Sequence, residues 1–352
     1  MGKADDIKKA IVFVRGRGHR LHRAASRAIS HLLTVGSEGM SDQSDSREIE
    51  IVEVPCPGCG DRPPDLVTDD LIDVEDRVFG TYAIGKCRRC SLVYLSFRPT
   101  VESLPRCYPV DYHVHDSGRQ GLVPSILYGM RARLRQRRVF AAAKGQVRSL
   151  LEVGCGDAAF LLHLDSVCPP SMSLVGIDLQ APRINRGRLQ VSSGDFGAED
   201  LVGTFDAVVM FNVLEHLPDP ITSLGKIRKH MPSGGVIYGE VPDWRSTWRH
   251  VFPKHWQGLQ IPRHMSFFEP DTLRDSLERA GFGQVHIREL FDPGDLGVTM
   301  CNWITDRFGL KTHPRQAWFF LPIVLLTTPI AWLSFLVTGW AGSLEFTAKA
   351  CS

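Results

Sequence analysis

The sequence predicts an α/β fold: a doubly wound, Rossmann-like parallel sheet, with a small cysteine-paired module ahead of it and a hydrophobic helical insertion before its last strand. Three observations carry this expectation. From residue 146 onward, short apolar runs alternate with amphipathic stretches, as in a parallel sheet covered by helices on both faces. A glycine-rich turn, Gly154-Cys155-Gly156, follows the first of those runs. Two C-x-x-C pairs stand upstream of it. The chain has 352 residues, 43% hydrophobic and 23% charged, with a formal net charge of +2. That length suffices for two ordinary domains, or for one with appendages. So balanced a charge argues for neither a nucleic-acid nor an acidic partner.

The expected organisation is a basic N-terminal segment over 1–49, the cysteine module over 50–115 and a basic helical linker over 116–145. The α/β domain follows over 146–292 plus 343–352, interrupted by a hydrophobic insertion over 293–342. The first 35 residues hold eight Lys/Arg against two Asp, and "RARLRQRR" spans Arg131 to Arg138. Either run is read as a solvated helix face or as a contact for phosphate on nucleic acid or at a membrane surface. No apolar signal segment is visible near the N-terminus, so a cytoplasmic setting with reduced thiols is expected.

Cys56 and Cys59 in "VPCPGCGD" form one C-x-x-C turn, and Cys87 and Cys90 in "GKCRRCS" the other, with 27 residues between them. Two such turns present four thiolates to one ion, the ligand set of a closed, structural zinc site. Arg88 and Arg89 are expected to offset the charge of that centre. The other five cysteines lack such spacing and read as ordinary residues.

Leu150 to Val153 reads as the first parallel strand, followed by the Gly154–Gly156 turn and a helix from Ala158. "SLVGIDL" reads as a second strand ending in Asp178, a carboxylate placed to take two ribose hydroxyls. "SSGDF" sets Asp195 and Phe196 after a third. Asp206 to Phe211 forms a fourth that ends at Asn212. "GGVIYGEVPD" and "QVHIREL" supply a fifth and sixth, with an amphipathic helix, "DTLRDSLERAGF", between them.

The succession E-V-G-C-G, G-I-D, G-D-F and F-D-A-V-V-M-F-N-V-L-E-H-L-P-D-P resembles class I S-adenosylmethionine-dependent methyltransferases over residues 140 to 292. The resemblance implies a seven-stranded sheet whose last strand is antiparallel. It also implies S-adenosylmethionine as cofactor, with Glu152, Gly154 and Gly156 by its methionine part. Asp178 would hold the ribose, Asp195 and Phe196 would flank the adenine, and Asn212 would sit beside the sulfonium. Ala158 stands where many members have a third glycine, a change expected to be tolerated. The cysteine quartet ahead of this core is similar to that of zinc-bearing bacterial methyltransferases, which include sugar C-methyltransferases. In those the place of His264 reads Asp-Glu-His. Here Arg263 precedes His264, so the carboxylate is missing there and O-methylation is at least as well supported as C-methylation.

The candidate catalytic residues are His264 and His216, with Glu215 and Asp219 weaker. Arg263 is a candidate for binding a substrate phosphate or carboxylate. Trp244, Trp248 and Trp256, interleaved with basic residues, suit a stacked sugar, an amphipathic lid or a packed surface.

No charge occurs from Gln316 to Leu344. "SLEFTAKA", Ser343 to Ala350, reads as the seventh strand, so this stretch is an insertion whose two ends join one soluble sheet. A single membrane crossing is then excluded. Pro322 and Pro329 are expected to break the run into pieces of about 12 residues, each short of the ~30 Å hydrocarbon core. An interfacial hairpin on the inner membrane face is expected, with a dimer contact or a lid as alternatives. The reading is therefore a zinc-containing methyltransferase acting on a small molecule, a sugar or lipid-linked saccharide, at that membrane face. The rivals are an RNA methyltransferase, which lacks an N-P-P-Y-type signature after the fourth strand, and a non-catalytic scaffold of the same fold.

Overall fold

The computed structural model describes residues 49–108, 122–145, 147–194 and 202–352, with only the backbone for 122–127. The basic N-terminal segment and the expected adenine contacts Asp195 and Phe196 lie outside the described residues.

Eight strands form the main sheet: β5 (Ser149–Val153), β6 (Ser173–Asp178), β7 (Ile184–Arg186), β8 (Leu189–Ser193), β9 (Ala207–Phe211), β10 (Val236–Pro242), β12 (Phe282–Phe291) and β13 (Gly342–Ala350). Their order is β12-β13-β10-β9-β5-β6-β8-β7. β5, β6, β8, β9 and β10 pair in parallel, and β13 runs antiparallel between β10 and β12. The expected seventh strand is therefore present where "SLEFTAKA" places it. β7 is an addition to the expected seven, a three-residue edge strand antiparallel to β8. The central strands are short and apolar because both faces are covered. Leu150, Leu151, Ala207, Val208, Val209 and Ile237 are all fully buried.

The helices in chain order are α1 (Leu122–Ala142), α2 (Ala159–Val167), α3 (Pro220–Lys229), α4 (Thr247–Val251), α5 (Pro270–Arg279), α6 (Gly294–Arg307) and α7 (Phe320–Thr338). Their starts follow local chemistry. The Asp219 carboxylate accepts from the Thr222 amide at 3.0 Å, with Pro220 opening α3. Glu269 and Thr272 make a capping box for α5.

The N-terminal strands β1 (Ile51–Glu53), β2 (Asp65–Leu71), β3 (Tyr82–Lys86) and β4 (Val93–Pro99) form a second, antiparallel sheet. This sheet takes in β11 (Ser266–Phe267), which pairs with β4. The Leu95 amide donates to the Met265 carbonyl at 3.0 Å, and the Met265 amide to the Glu215 carbonyl at 2.7 Å. The segment carrying Arg263 and His264 is thus pinned between the small sheet and the tip of β9.

Helix α1 carries the basic run. Arg131 and Arg135 donate to Glu240 of β10, and Arg138 and Arg288 to Glu345 of β13, which also accepts from the Tyr238 hydroxyl at 2.6 Å. Arg135 and Arg138 are therefore engaged inward, whereas Arg131, Arg133 and Arg137 of the run remain exposed, as a solvated face would have them. Glu240 and Glu345 are 2% exposed, and a carboxylate so buried requires charged partners. Burial opposes the ionised form of Glu240, but Arg135 and Arg131 outweigh it and hold its pKa well below the usual range.

The insertion consists of α6 and α7. Here the expectation of a break at Pro329 fails, because α7 is one helix of 19 residues with Pro329 inside it. Pro322 falls in the first turn, where no amide partner is needed. Ahead of Pro329, the Thr327 and Thr328 hydroxyls donate to the carbonyls of Ile323 and Val324 at 2.8 and 2.7 Å. At 1.5 Å per residue α7 is about 28 Å long. Both of its ends remain tied to the same body. A turn at Pro314–Gln316 joins it to α6, and Gly339–Ala341 lead directly into β13. The side chains of α7 that are buried are Thr327 and Ala331, and Phe291 packs on Trp332 and Phe335 at 5.3 and 5.8 Å. Leu325, Leu326, Leu333, Leu336 and Val337 are exposed.

Candidate functional site

Glu152, Gly154, Gly156 and Asp178 meet at the C-terminal ends of β5 and β6. Gly154 has φ +70°, and a Cβ there would sit 2.3 Å from Cγ2 of Val213. Glycine is therefore demanded twice, by handedness and by space. The amides of Gly154 and Cys155 donate to the Ile177 carbonyl at 2.8 and 3.3 Å, and the Gly156 amide to Oδ2 of Asp178 at 3.0 Å. Asp178 Oδ1 accepts from the Gln180 amide at 3.0 Å. The carboxylate is thereby aimed across the glycine turn.

Ala158 has φ +62°, a left-handed conformation that an alanine adopts at a cost. The glycine common at this place thus answers a backbone need, and the expectation that a methyl group is simply tolerated is corrected. Asn212, also left-handed at φ +54°, donates its amide to the Glu240 carbonyl at 2.9 Å. Asparagine tolerates that geometry better than most residues.

Glu152 is 3% exposed, and its Oε2 has no partner. Burial pushes its carboxyl up to about 8. A buried acceptor left unmet beside a glycine turn fits a cationic group such as the amino end of S-adenosylmethionine. The residues present therefore fit that cofactor.

The second half of the site is a cluster of Glu215, His216 and His264. The two imidazoles are edge to face with centroids 4.5 Å apart. His264 Nδ1 lies 2.8 Å from the Gly258 carbonyl, and His216 Nδ1 lies 3.2 Å from the Arg263 carbonyl and 3.4 Å from the Tyr108 hydroxyl. His264 Nε2 is 4.0 Å from Oε1 of Glu215. Burial, and then the neighbouring Arg263 charge, lowers the His216 pKa to about 3. Burial and the adjacent His216 hold His264 well below the usual imidazole range. Burial raises Glu215 to about 8. A carboxylate, that of Glu215 past the β9 tip, thus lies near His264 although position 263 carries none. Sequence reasoning ranks Glu215 low, although its place beside His216 in "LEHL" is the available signal.

Arg263 is not a substrate ligand. It is fully buried and pairs with Asp73 at 3.1 Å and Asp76 at 2.8 Å, bracing the small sheet against this loop. Trp244 and Trp256 belong to a packed cluster rather than to an open sugar platform. Trp256 is 1% exposed and donates its indole N–H to Asp295 at 2.8 Å, while Trp244 packs on Phe267 at 4.9 Å under the Arg249 guanidinium. Asp219 serves as a helix cap.

The four cysteines expected to ligate zinc come together, with Cys56 and Cys90 sulfurs 3.5 Å apart and Cys59 and Cys87 3.4 Å apart. Sulfurs at ~2.3 Å from one tetrahedral zinc lie about 3.8 Å apart, so the quartet fits such an ion. The amides of Arg89 and Cys90 point at Sγ of Cys87, at 3.4 and 3.5 Å. Arg88 is occupied by Asp65 at 2.6 Å rather than by the sulfurs.

Part of this chain is similar to known proteins. Residues 126–287 match the model of a methyltransferase domain family. A ubiquinone biosynthesis O-methyltransferase of Aliivibrio fischeri (strain MJ11) is 24% identical over 172 residues, 43% of this chain and 72% of that one. An uncharacterized 37.1 kDa protein in transposon TN4556 of Streptomyces fradiae is 32% identical over 108 residues, 28% of this chain and 31% of that one. The match thus spans about a third of the Streptomyces protein. Among solved structures, the cyclopropane synthase MmaA2 from Mycobacterium tuberculosis is similar with a TM-score of 0.41 and 14% identity, over 61% of this chain and 84% of that one.

Proposed function

We propose that this chain, which belongs to the class I S-adenosylmethionine-dependent methyltransferases, methylates a small-molecule acceptor, a sugar or lipid-linked saccharide, at the cytoplasmic face of a membrane. The observation that carries the reading is α7, a 19-residue apolar helix with two buried side chains, joined directly to the sheet that bears the site. Such a helix, tied to the body at both ends, lies in the plane of an interface rather than crossing it. Trp318, 88% exposed, and Trp332 suit the headgroup boundary.

When bound, S-adenosylmethionine supplies an electrophilic methyl group on a sulfonium. Glu152 pairs with its cationic amino end, and the Gly154–Gly156 turn brings backbone close to it. Asp178 would take the ribose hydroxyls, and Asn212 would border the reacting centre. His216 and His264, both neutral at physiological pH, position the acceptor's nucleophilic group together with the neighbouring Glu215. Cys56, Cys59, Cys87 and Cys90 hold a structural zinc that fixes the small sheet. That sheet in turn pins the His264 loop through β11.

The test is transfer of label from S-adenosylmethionine into cell extract separated into lipid, sugar-nucleotide and RNA pools. Label in the lipid or sugar pool that disappears with His264→Ala supports the reading. Label in RNA, with a steep salt dependence, replaces it.

A further inference from the structure

The Glu215, His216 and His264 cluster has an unmet requirement. Glu215 is 1% exposed, and neither carboxylate oxygen has a hydrogen-bond partner. A buried carboxylate left uncompensated is strongly unfavourable. Protonation does not remove the deficit, since a carboxyl O–H also needs an acceptor, and His264 Nε2 at 4.0 Å is beyond hydrogen-bond reach.

Both histidines are oriented by their other nitrogen. A backbone carbonyl only accepts, so Nδ1 of His264 carries the proton it gives to Gly258, and Nδ1 of His216 the proton it gives to Arg263. Each ring is left with a lone pair on Nε2. This is the usual arrangement of metal-binding histidines, whose outer N–H is fixed by a carbonyl or carboxylate. One ring nitrogen from each histidine and one Glu215 oxygen lie within 4.8 Å of one another. Ligands ~2.1 Å from a common ion stand about 3 to 4 Å apart, so small side-chain adjustments close the set.

We infer that Glu215, His216 and His264 form a divalent-cation site, separate from the cysteine quartet. Two imidazoles and one carboxylate from one side are a ligand set for manganese, iron, cobalt or zinc, with the remaining positions open. Nitrogen and oxygen donors here contrast with the four thiolates of the other cluster. The inferred site rests on its own geometry. Its role, holding an acceptor oxygen at an open position, rests on the methyl-transfer reading.

Manganese separates this site from the quartet, because the ion favours nitrogen and oxygen over thiolate. The full chain, isolated with the quartet metal in place, is titrated with Mn²⁺, and free ion is followed by its paramagnetic resonance signal. The wild type is expected to take up one ion tightly. Glu215→Gln keeps the volume and removes the charge, so its affinity should fall by at least tenfold. His216→Gln should behave likewise. Far-UV circular dichroism and S-adenosylmethionine binding confirm that each variant is folded. A wild type without a tight Mn²⁺ site overturns the inference and leaves a bridging water as the occupant. Equal uptake by Glu215→Gln also overturns it, and moves the ion to Glu75, Asp76 and His313, whose ligand atoms also lie within 4.8 Å of one another. Neither result depends on methyl transfer, so a failed site and a failed activity are told apart.

Discussion

Replacing Gly154 by alanine separates two costs that the glycine turn avoids. The residue has φ +70°, and a left-handed L-residue costs roughly 1–2 kcal/mol. The added methyl also lands 2.3 Å from Val213 Cγ2, far inside van der Waals contact. Forcing an extra methyl into packed surroundings typically costs about 1–3 kcal/mol more. Gly187, in the turn between β7 and β8, supplies the control. Its φ is +59°, and a methyl carbon added there would meet nothing within 4 Å. Gly187→Ala should therefore lose roughly 1–2 kcal/mol, and Gly154→Ala about 2–5 kcal/mol. Urea unfolding at 25 °C measures both, and calorimetric titration with S-adenosylmethionine gives the second readout. Gly154→Ala should also bind the cofactor at least tenfold more weakly, whereas Gly187→Ala should bind it unchanged. Equal destabilisation of the two variants, or full cofactor affinity in Gly154→Ala, would refute the reasoning that Val213 closes this turn.

Glu152 predicts a pH effect. Its folded pKa is raised by burial to about 8 from an ordinary 4.5, so the stability its neutral form contributes is complete below about pH 4.5 and is lost as pH rises through about 8. The cofactor-free melting temperature should fall over that window in the wild type and fall less in Glu152→Gln; parallel curves would contradict the assignment. Treatment with a mercurial should release one zinc per chain to a colorimetric chelator, and Cys87→Ser should reduce the zinc bound; zinc-free, fully folded protein would sink the quartet's role. Leu326→Lys with Leu333→Lys, at exposed positions of α7, should abolish co-sedimentation with anionic vesicles and leave cofactor affinity unchanged. Unaltered sedimentation would turn α7 into a dimer contact or lid.

The parallel sheet is readable in the sequence because its central strands are buried on both faces and so carry short apolar runs, as in Ala207–Phe211. The glycine turn and Asp178 are readable because their spacing follows from one strand–turn–helix unit. What escapes depends on contacts between distant segments. Arg135 and Arg138 of α1 look solvated in sequence, and only the sheet reveals Glu240 and Glu345 beside them. Arg263 looks like a ligand until Asp73 and Asp76, nearly 190 residues away, are brought to it. The carboxylate beside His264 comes from Glu215 for the same reason. Pro329 misleads because propensity treats a proline as a break, whereas α7 runs on through it as one helix.

The account turns on whether the β5–β6 tips hold S-adenosylmethionine, and calorimetric titration of the wild type and Asp178→Asn tests this most directly. Two charge-assisted hydrogen bonds to ribose are at stake, each worth about 1.5–3 kcal/mol. The account predicts one cofactor bound per wild-type chain and affinity at least tenfold weaker in the folded variant. Equal affinity in both, or no binding by the wild type, would contradict it.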